Sequence, residues 1–225
     1  MQEYELDFSQ LSLTANDLFA EMGYGSTQPE EPVEELAVSM LKEVSSWIVS
    51  RCTFGLFDGR IEGHTVFMTG GESFQVGATI SSLLKGSQRF ALFAATAGIA
   101  FQEYQNRLKA EDDILKSFIA DIIGTCVAEK AGDYMERLLE KELAGERHTN
   151  RLSPGYCGWH LSGQQSLFRL MGGTPCGISL SEVCLMTPIK SISGIMGIGP
   201  DVDEKKYGCQ YCELETCYKR KRKKK

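Results

Sequence analysis

The residues with the greatest chemical capacity in this chain stand together at Arg151-Leu152-Ser153-Pro154-Gly155-Tyr156-Cys157-Gly158-Trp159-His160. Pro154 fixes its own φ and biases Ser153 toward extended backbone, while Gly155 permits the positive φ that a type II turn needs at its third residue. The chain therefore reverses here, with a guanidinium just before the bend and two amphipathic aromatics after it. A guanidinium is a planar fork of donors suited to a carboxylate or phosphate, and Tyr156 and Trp159 offer flat faces with a polar edge. Local chemistry leaves two readings open: a ligand clamp, or a surface turn whose aromatics plug a small core.

A second cluster lies near the end of the chain, where Cys209, Cys212 and Cys217 are spaced C-x-x-C-x-x-x-x-C. Two thiolates three apart can bite one metal ion, and the third closes most of a tetrahedral site. A fourth ligand is not local, but Cys157, Cys176 or Cys184 would complete the set if the tail folds back. Iron–sulfur and zinc are the candidate occupants, against unligated or redox-paired thiols. The spacing fits neither a nucleic-acid zinc knuckle nor a radical S-adenosylmethionine enzyme.

Elements able to position the bend can be read from periodicity. A helix over 112–143 is the longest, with Ile114, Phe118, Ile122, Ala128, Ala131, Met135 and Leu138 recurring at helical spacing, which predicts one buried face. Glu129 lies on this spine. Residues 89–98 read as a buried strand ending in a glycine turn, and 163–170 as a short helix. Earlier come an alternating Tyr4, Leu6, Phe8 run, helices over 13–22 and 33–49, and strands over 52–59 and 64–69 separated by an Asp58-Gly59 turn. A short helix over 76–84 precedes the buried strand, and strand character over 183–198 follows the bend.

With these residues in view, Arg-x-x-Pro-Gly-Tyr, preceded by a long amphipathic helix and followed by Gln164, Gln165, Leu167 and Phe168, resembles the signature loop of the activation domain of cobalamin-dependent methionine synthase, most of all its stand-alone forms. The likeness runs from about residue 60 to about residue 200. It implies a single α+β domain, a bent antiparallel sheet packed by helices, that binds S-adenosylmethionine. Cobalamin would be supplied by a partner, a cobalamin-dependent methyltransferase or corrinoid protein, and a low-potential electron donor would complete the system. The resemblance assigns the ligand to Glu129, Arg151, Ser153, Gly155 and Tyr156. A ligand that carries ammonium, sulfonium and carboxylate groups needs an acid for its cations and an arginine for its anion. The family also has a ligand-contacting tyrosine after a Ser-Gly strand, and Met196 is the residue judged to match it. An interaction protein that docks a corrinoid partner without binding the donor, and a metal-dependent nucleic-acid binder, remain as alternatives.

Composition bounds these readings. At 225 residues and 42% hydrophobic, the chain can bury one large core, expected over 1–202 with a helical part at 1–59 and a cysteine-rich, basic tail at 203–225. The start carries neither a basic nor an apolar leader, and no apolar run approaches the length of a membrane span, which predicts a cytoplasmic protein with no membrane partner. The last seven residues are all Lys or Arg, so residues 1–218 hold 17 basic against 30 acidic side chains. An acidic body makes a broad phosphate-binding face, and hence a nucleic-acid partner, unlikely chemistry for this chain.

Overall fold

In the computed structural model, which describes residues 1–25 and 27–202, the chain opens with β1 (Gln2–Asp7) and three helices: α1 (Phe8–Leu11), α2 (Ala15–Met22) and α3 (Glu31–Ser45). The first two begin where side chains can replace missing helical partners. Asp7 and Thr14 each close a capping box, Thr14 with Asp17, and Gly23 ends α2 in the left-handed region at φ 107°. A meander follows in β2 (Val49–Glu62), β3 (Thr65–Met68) and β4 (Ser73–Gln75), then α4 (Gly77–Leu83) and β5 (Arg89–Thr96). Helices α5 (Ile99–Ala110), α6 (Ile114–Leu143) and α7 (Gly163–Leu170) precede β6 (Ser179–Leu180), β7 (Met186–Thr187) and β8 (Ser191–Ile198).

The main sheet is antiparallel and curled, in the order β4-β3-β2-β5-β8, with β1 added to β2, while β6 and β7 form a separate pair. Strand β5 is buried on both faces because its alternate residues feed two cores. Ala91, Phe93 and Ala95 join the core made with α1–α3, α5 and α6, whereas Phe90, Leu92 and Ala94 join Leu152, Trp159, Leu167 and Phe168 on the other side. This arrangement is the bent antiparallel α+β sheet expected from the sequence.

Three expectations need correction. The Asp58-Gly59 pair is not a turn: β2 runs through it, Gly59 pairs with Met68, and the reversal comes at Gly63, φ 57°. A Cβ on Gly59 would lie 2.6 Å from the Phe67 carbonyl oxygen, so this glycine serves the close approach of two strands. The first 59 residues are not helical throughout, since β1 pairs with the opening half of β2. On α6, Ile122, Ala128, Ala131 and Met135 are buried as periodicity requires, but Ile114 and Phe118 are 82% and 46% exposed because the first turns project beyond the core. Asp113 caps this helix, its Oδ1 accepting from the Lys116 N–H at 3.0 Å. Among the described residues, no helix is long and apolar enough to cross a membrane. Cys209, Cys212 and Cys217 lie outside the described residues.

Candidate functional site

The Arg-to-Tyr loop is held at its start by the edge of the sheet. The Leu152 N–H donates to the Ile195 carbonyl at 2.9 Å, and the Leu152 carbonyl accepts from the Ile195 N–H at 2.8 Å. Two residues earlier in the register, the Thr149 N–H donates to the Gly197 carbonyl at 2.8 Å. Gly194 makes this contact possible, because a Cβ there would overlap the Leu152 carbonyl oxygen. The bend itself closes through Gly155, at φ 92°, whose N–H donates to the Trp159 carbonyl at 2.7 Å. The two aromatics then divide their roles. Trp159 is 1% exposed and stacks on Phe74 with centroids 5.9 Å apart and planes 6° from parallel, anchoring the far side of the loop. Tyr156 is 58% exposed.

Between this loop, α7 and the approach to β8 lies a cavity of about 770 Å³. Ser153, Gly155 and Tyr156 line one side, and Leu185, Met186, Ile189, Ile192 and Ser193 line the other, with Gln164 contributed by α7. Its walls are largely apolar with a few polar groups, the usual make-up of a small-molecule site. Tyr156, Leu185 and Ile189 are each more than half exposed, so the same cavity has an apolar rim.

Arg151 turns away from this cavity onto α6. There Glu129, Asp133 and Glu136, spaced i, i+4 and i+7 and hence on one helix face, receive the guanidinium. Nη2 lies 2.7 Å from Asp133 Oδ1 and 3.6 Å from Glu129 Oε2, Nε lies 3.3 Å from Glu136 Oε2, and Nη1 donates to the Glu129 carbonyl at 3.4 Å. The guanidinium fits because residue 132 is glycine: a Cβ there would overlap Arg151 Nη1 and would lie 2.5 Å from Ile192 Cδ1. Ile192 thus forms the boundary between the cation and the cavity. Burial pushes the Glu136 carboxyl above the usual carboxylate range, against the opposing pull of Arg151 and His148. Three acids facing one guanidinium leave the patch with excess negative charge, suited to a cationic ligand group.

The five residues picked out by resemblance therefore form two adjoining groups. Ser153, Gly155 and Tyr156 share the cavity, and Arg151 and Glu129 meet on α6. Glu129 also lines a smaller cleft of about 250 Å³ with Asp17, Lys130 and Asp133. Sequence reasoning missed Asp133 and Glu136, although their spacing from Glu129 was readable, and it missed Gly132, whose role depends on a side chain reaching from elsewhere in the chain. Met196 is fully buried in the core against the helices, so it does not occupy a ligand-contacting place; the β8 residues at the cavity are Ser191, Ile192 and Ser193. Cys157, Cys176 and Cys184 are buried, and among the described residues no group of three His, Cys, Asp or Glu side chains could hold a metal ion.

Residues 79–224, more than half of the chain, match the family described as vitamin B12 dependent methionine synthase, activation domain. The chain belongs to that family. Its fold agrees with the crystal structure of the MetH reactivation domain bound to AdoHcy, at a TM-score of 0.69 and 16% identity, over 90% of this chain and 79% of that one. No curated protein matches the chain. As an activation-domain family member, it places the Arg-x-x-Pro-Gly-Tyr loop between a large cavity and an acidic helix face.

Proposed function

We propose that this protein binds S-adenosylmethionine beside the 153–157 loop and supports reductive methylation, and so reactivation, of cob(II)alamin on a separate cobalamin-dependent methionine synthase or related corrinoid methyltransferase. One observation carries the reading: the family's loop opens on a ligand-sized cavity while its arginine stands one side chain away, among carboxylates. Ser153, Gly155 and Tyr156 would hold the donor in the cavity, and Glu129, Asp133 and Glu136 would draw its ammonium or sulfonium. Arg151 would take the donor's carboxylate in exchange for one of its present partners. The MetH reactivation domain, similar in fold, binds AdoHcy, the same ligand without its methyl group.

The chemistry requires one electron from a low-potential donor and one methyl group. The electron reduces cob(II) to cob(I); the cobalt electron pair then forms the carbon–cobalt bond as the methyl–sulfur bond breaks, leaving S-adenosylhomocysteine. The protein's residues position the donor, with no proton to transfer. The exposed rim of Tyr156, Leu185 and Ile189 favours a second reading, a docking protein that engages the corrinoid partner without binding the donor. Mixing a cobalamin-loaded methyltransferase, a chemical reductant and methyl-labelled S-adenosylmethionine separates them. The first reading predicts label on cobalamin only when this protein is added; complex formation without labelling would favour docking alone.

A further inference from the structure

Five buried side-chain polar atoms lack a hydrogen-bond partner among the described residues, and two of them, Gln164 Oε1 and Ser193 Oγ, belong to residues that line the large cavity. Both residues are more than nine-tenths buried, Gln164 at 4% and Ser193 at 2% exposure, and they approach from different elements, α7 and β8. Neighbouring Ser191 does not share this condition, since its Oγ lies 2.7 Å from Thr96 Oγ1 and 2.6 Å from the Pro188 carbonyl oxygen. A buried polar group without a partner destabilises the fold, so its presence on a cavity wall points to a partner brought by a ligand. The chemistry of that partner follows from the amide. A carboxamide offers an acceptor and a donor side by side, and this pair matches the amino group and adjacent ring nitrogen of adenine in a bidentate contact. Hypoxanthine, with an oxygen in place of the amino group, presents two acceptors on the same edge and cannot complete it.

We propose that Gln164, assisted by the hydroxyl of Ser193, reads the hydrogen-bonding edge of a 6-aminopurine nucleoside at the wall of this cavity. The inference deepens the proposed S-adenosylmethionine reading and rests on it. It makes the base a specificity element of the site, where the loop alone would grip only the amino-acid end and the sugar.

Calorimetric titration with S-adenosylhomocysteine and its 6-oxo counterpart, S-inosylhomocysteine, tests it on the full chain. The unaltered protein binds the adenosyl compound about tenfold more tightly, a preference that Gln164→Leu abolishes, and Ser193→Ala weakens adenosyl binding several-fold. Melting temperatures of the unliganded variants do not fall, because each substitution removes a buried group that has no partner in the protein. No binding of either compound to the unaltered protein overturns the methyl-donor reading and this inference together. Binding without preference for the adenosyl compound, or a preference that survives Gln164→Leu, overturns this inference alone. A lowered melting temperature with the preference intact would give the amide a purely structural role, with the same consequence.

Discussion

At the scale of single residues, the guanidinium of Arg151 sets the chemistry of the α6 face. Replacing it with alanine removes the only cation among Glu129, Asp133 and Glu136 that the described contacts show pairing with all three. Arg151→Ala is expected to weaken S-adenosylmethionine binding by about ten- to a hundredfold, equivalent to a charge-assisted contact of about 1.5–3 kcal/mol; equilibrium titration checks it. Gly132→Ala separates position from charge. Alanine normally stabilises a helix interior by about 1 kcal/mol relative to glycine, but here the new methyl displaces the end of a flexible arginine. The expected result is a melting temperature close to the parent's with clearly weaker donor binding, readable by calorimetry on both counts. Thiols follow burial in the same way. Desolvation pushes the Cys52 thiol up to about 12 and raises that of Cys176 as well, so alkylation of the native protein at pH 8 followed by peptide mapping should leave both unmodified.

Whole elements decide where that chemistry is presented. The loop has one fixed side on β8 and one fixed side on Trp159, so Trp159→Ala is expected to cost about 3–5 kcal/mol in denaturant unfolding, the usual cost of deleting a large buried aromatic. Gly194→Ala acts at the other side, where the obstacle is the Leu152 backbone carbonyl; a loss of about 1–3 kcal/mol and displacement of residues 149–152 should follow. Elements of this kind were legible to different degrees. The spine helix could be placed within two residues of its ends, because apolar spacing and the Asp113 cap act locally. Strand β5 was equally plain, its unbroken apolar run being what burial on two faces demands. The Asp58-Gly59 pair misled because its local turn preference was overridden by pairing with β3, a contact no short window contains. The site was half legible for the same reason. The bend announced itself through Pro154 and Gly155, whereas the insertion of Arg151 over Gly132 and the shared burial of Gln164 and Ser193 depend on residues far apart in sequence.

For the molecule as a whole, the charge balance predicts how stability follows pH. Asp17 shows the dominant pattern: burial alone would raise its carboxyl, but hydrogen bonds from Thr14 and Lys130 together hold it below the usual carboxylate range. A carboxylate with a lowered folded pKa contributes stability that is complete above its unfolded value and is lost as pH falls through the folded one. Glu136 has the opposite sign, its raised pKa making the ionised form costly as pH climbs through the weakly acidic range. Melting temperature is therefore expected to drop on acidification below about pH 4, while Glu136→Gln gains on the parent as pH rises through that weakly acidic range; parallel melting curves across pH would show both. The curled sheet that joins these regions brings the acidic helix face and the loop cavity to a common boundary at Ile192. The most direct test of a methyl-donor site there is amide hydrogen exchange with and without S-adenosylmethionine. Added ligand should slow exchange at residues 153–158, along 185–193 and over 129–136, and leave the β3–β4 hairpin unchanged; failure to bind, or protection confined to surfaces away from the loop, would contradict the account.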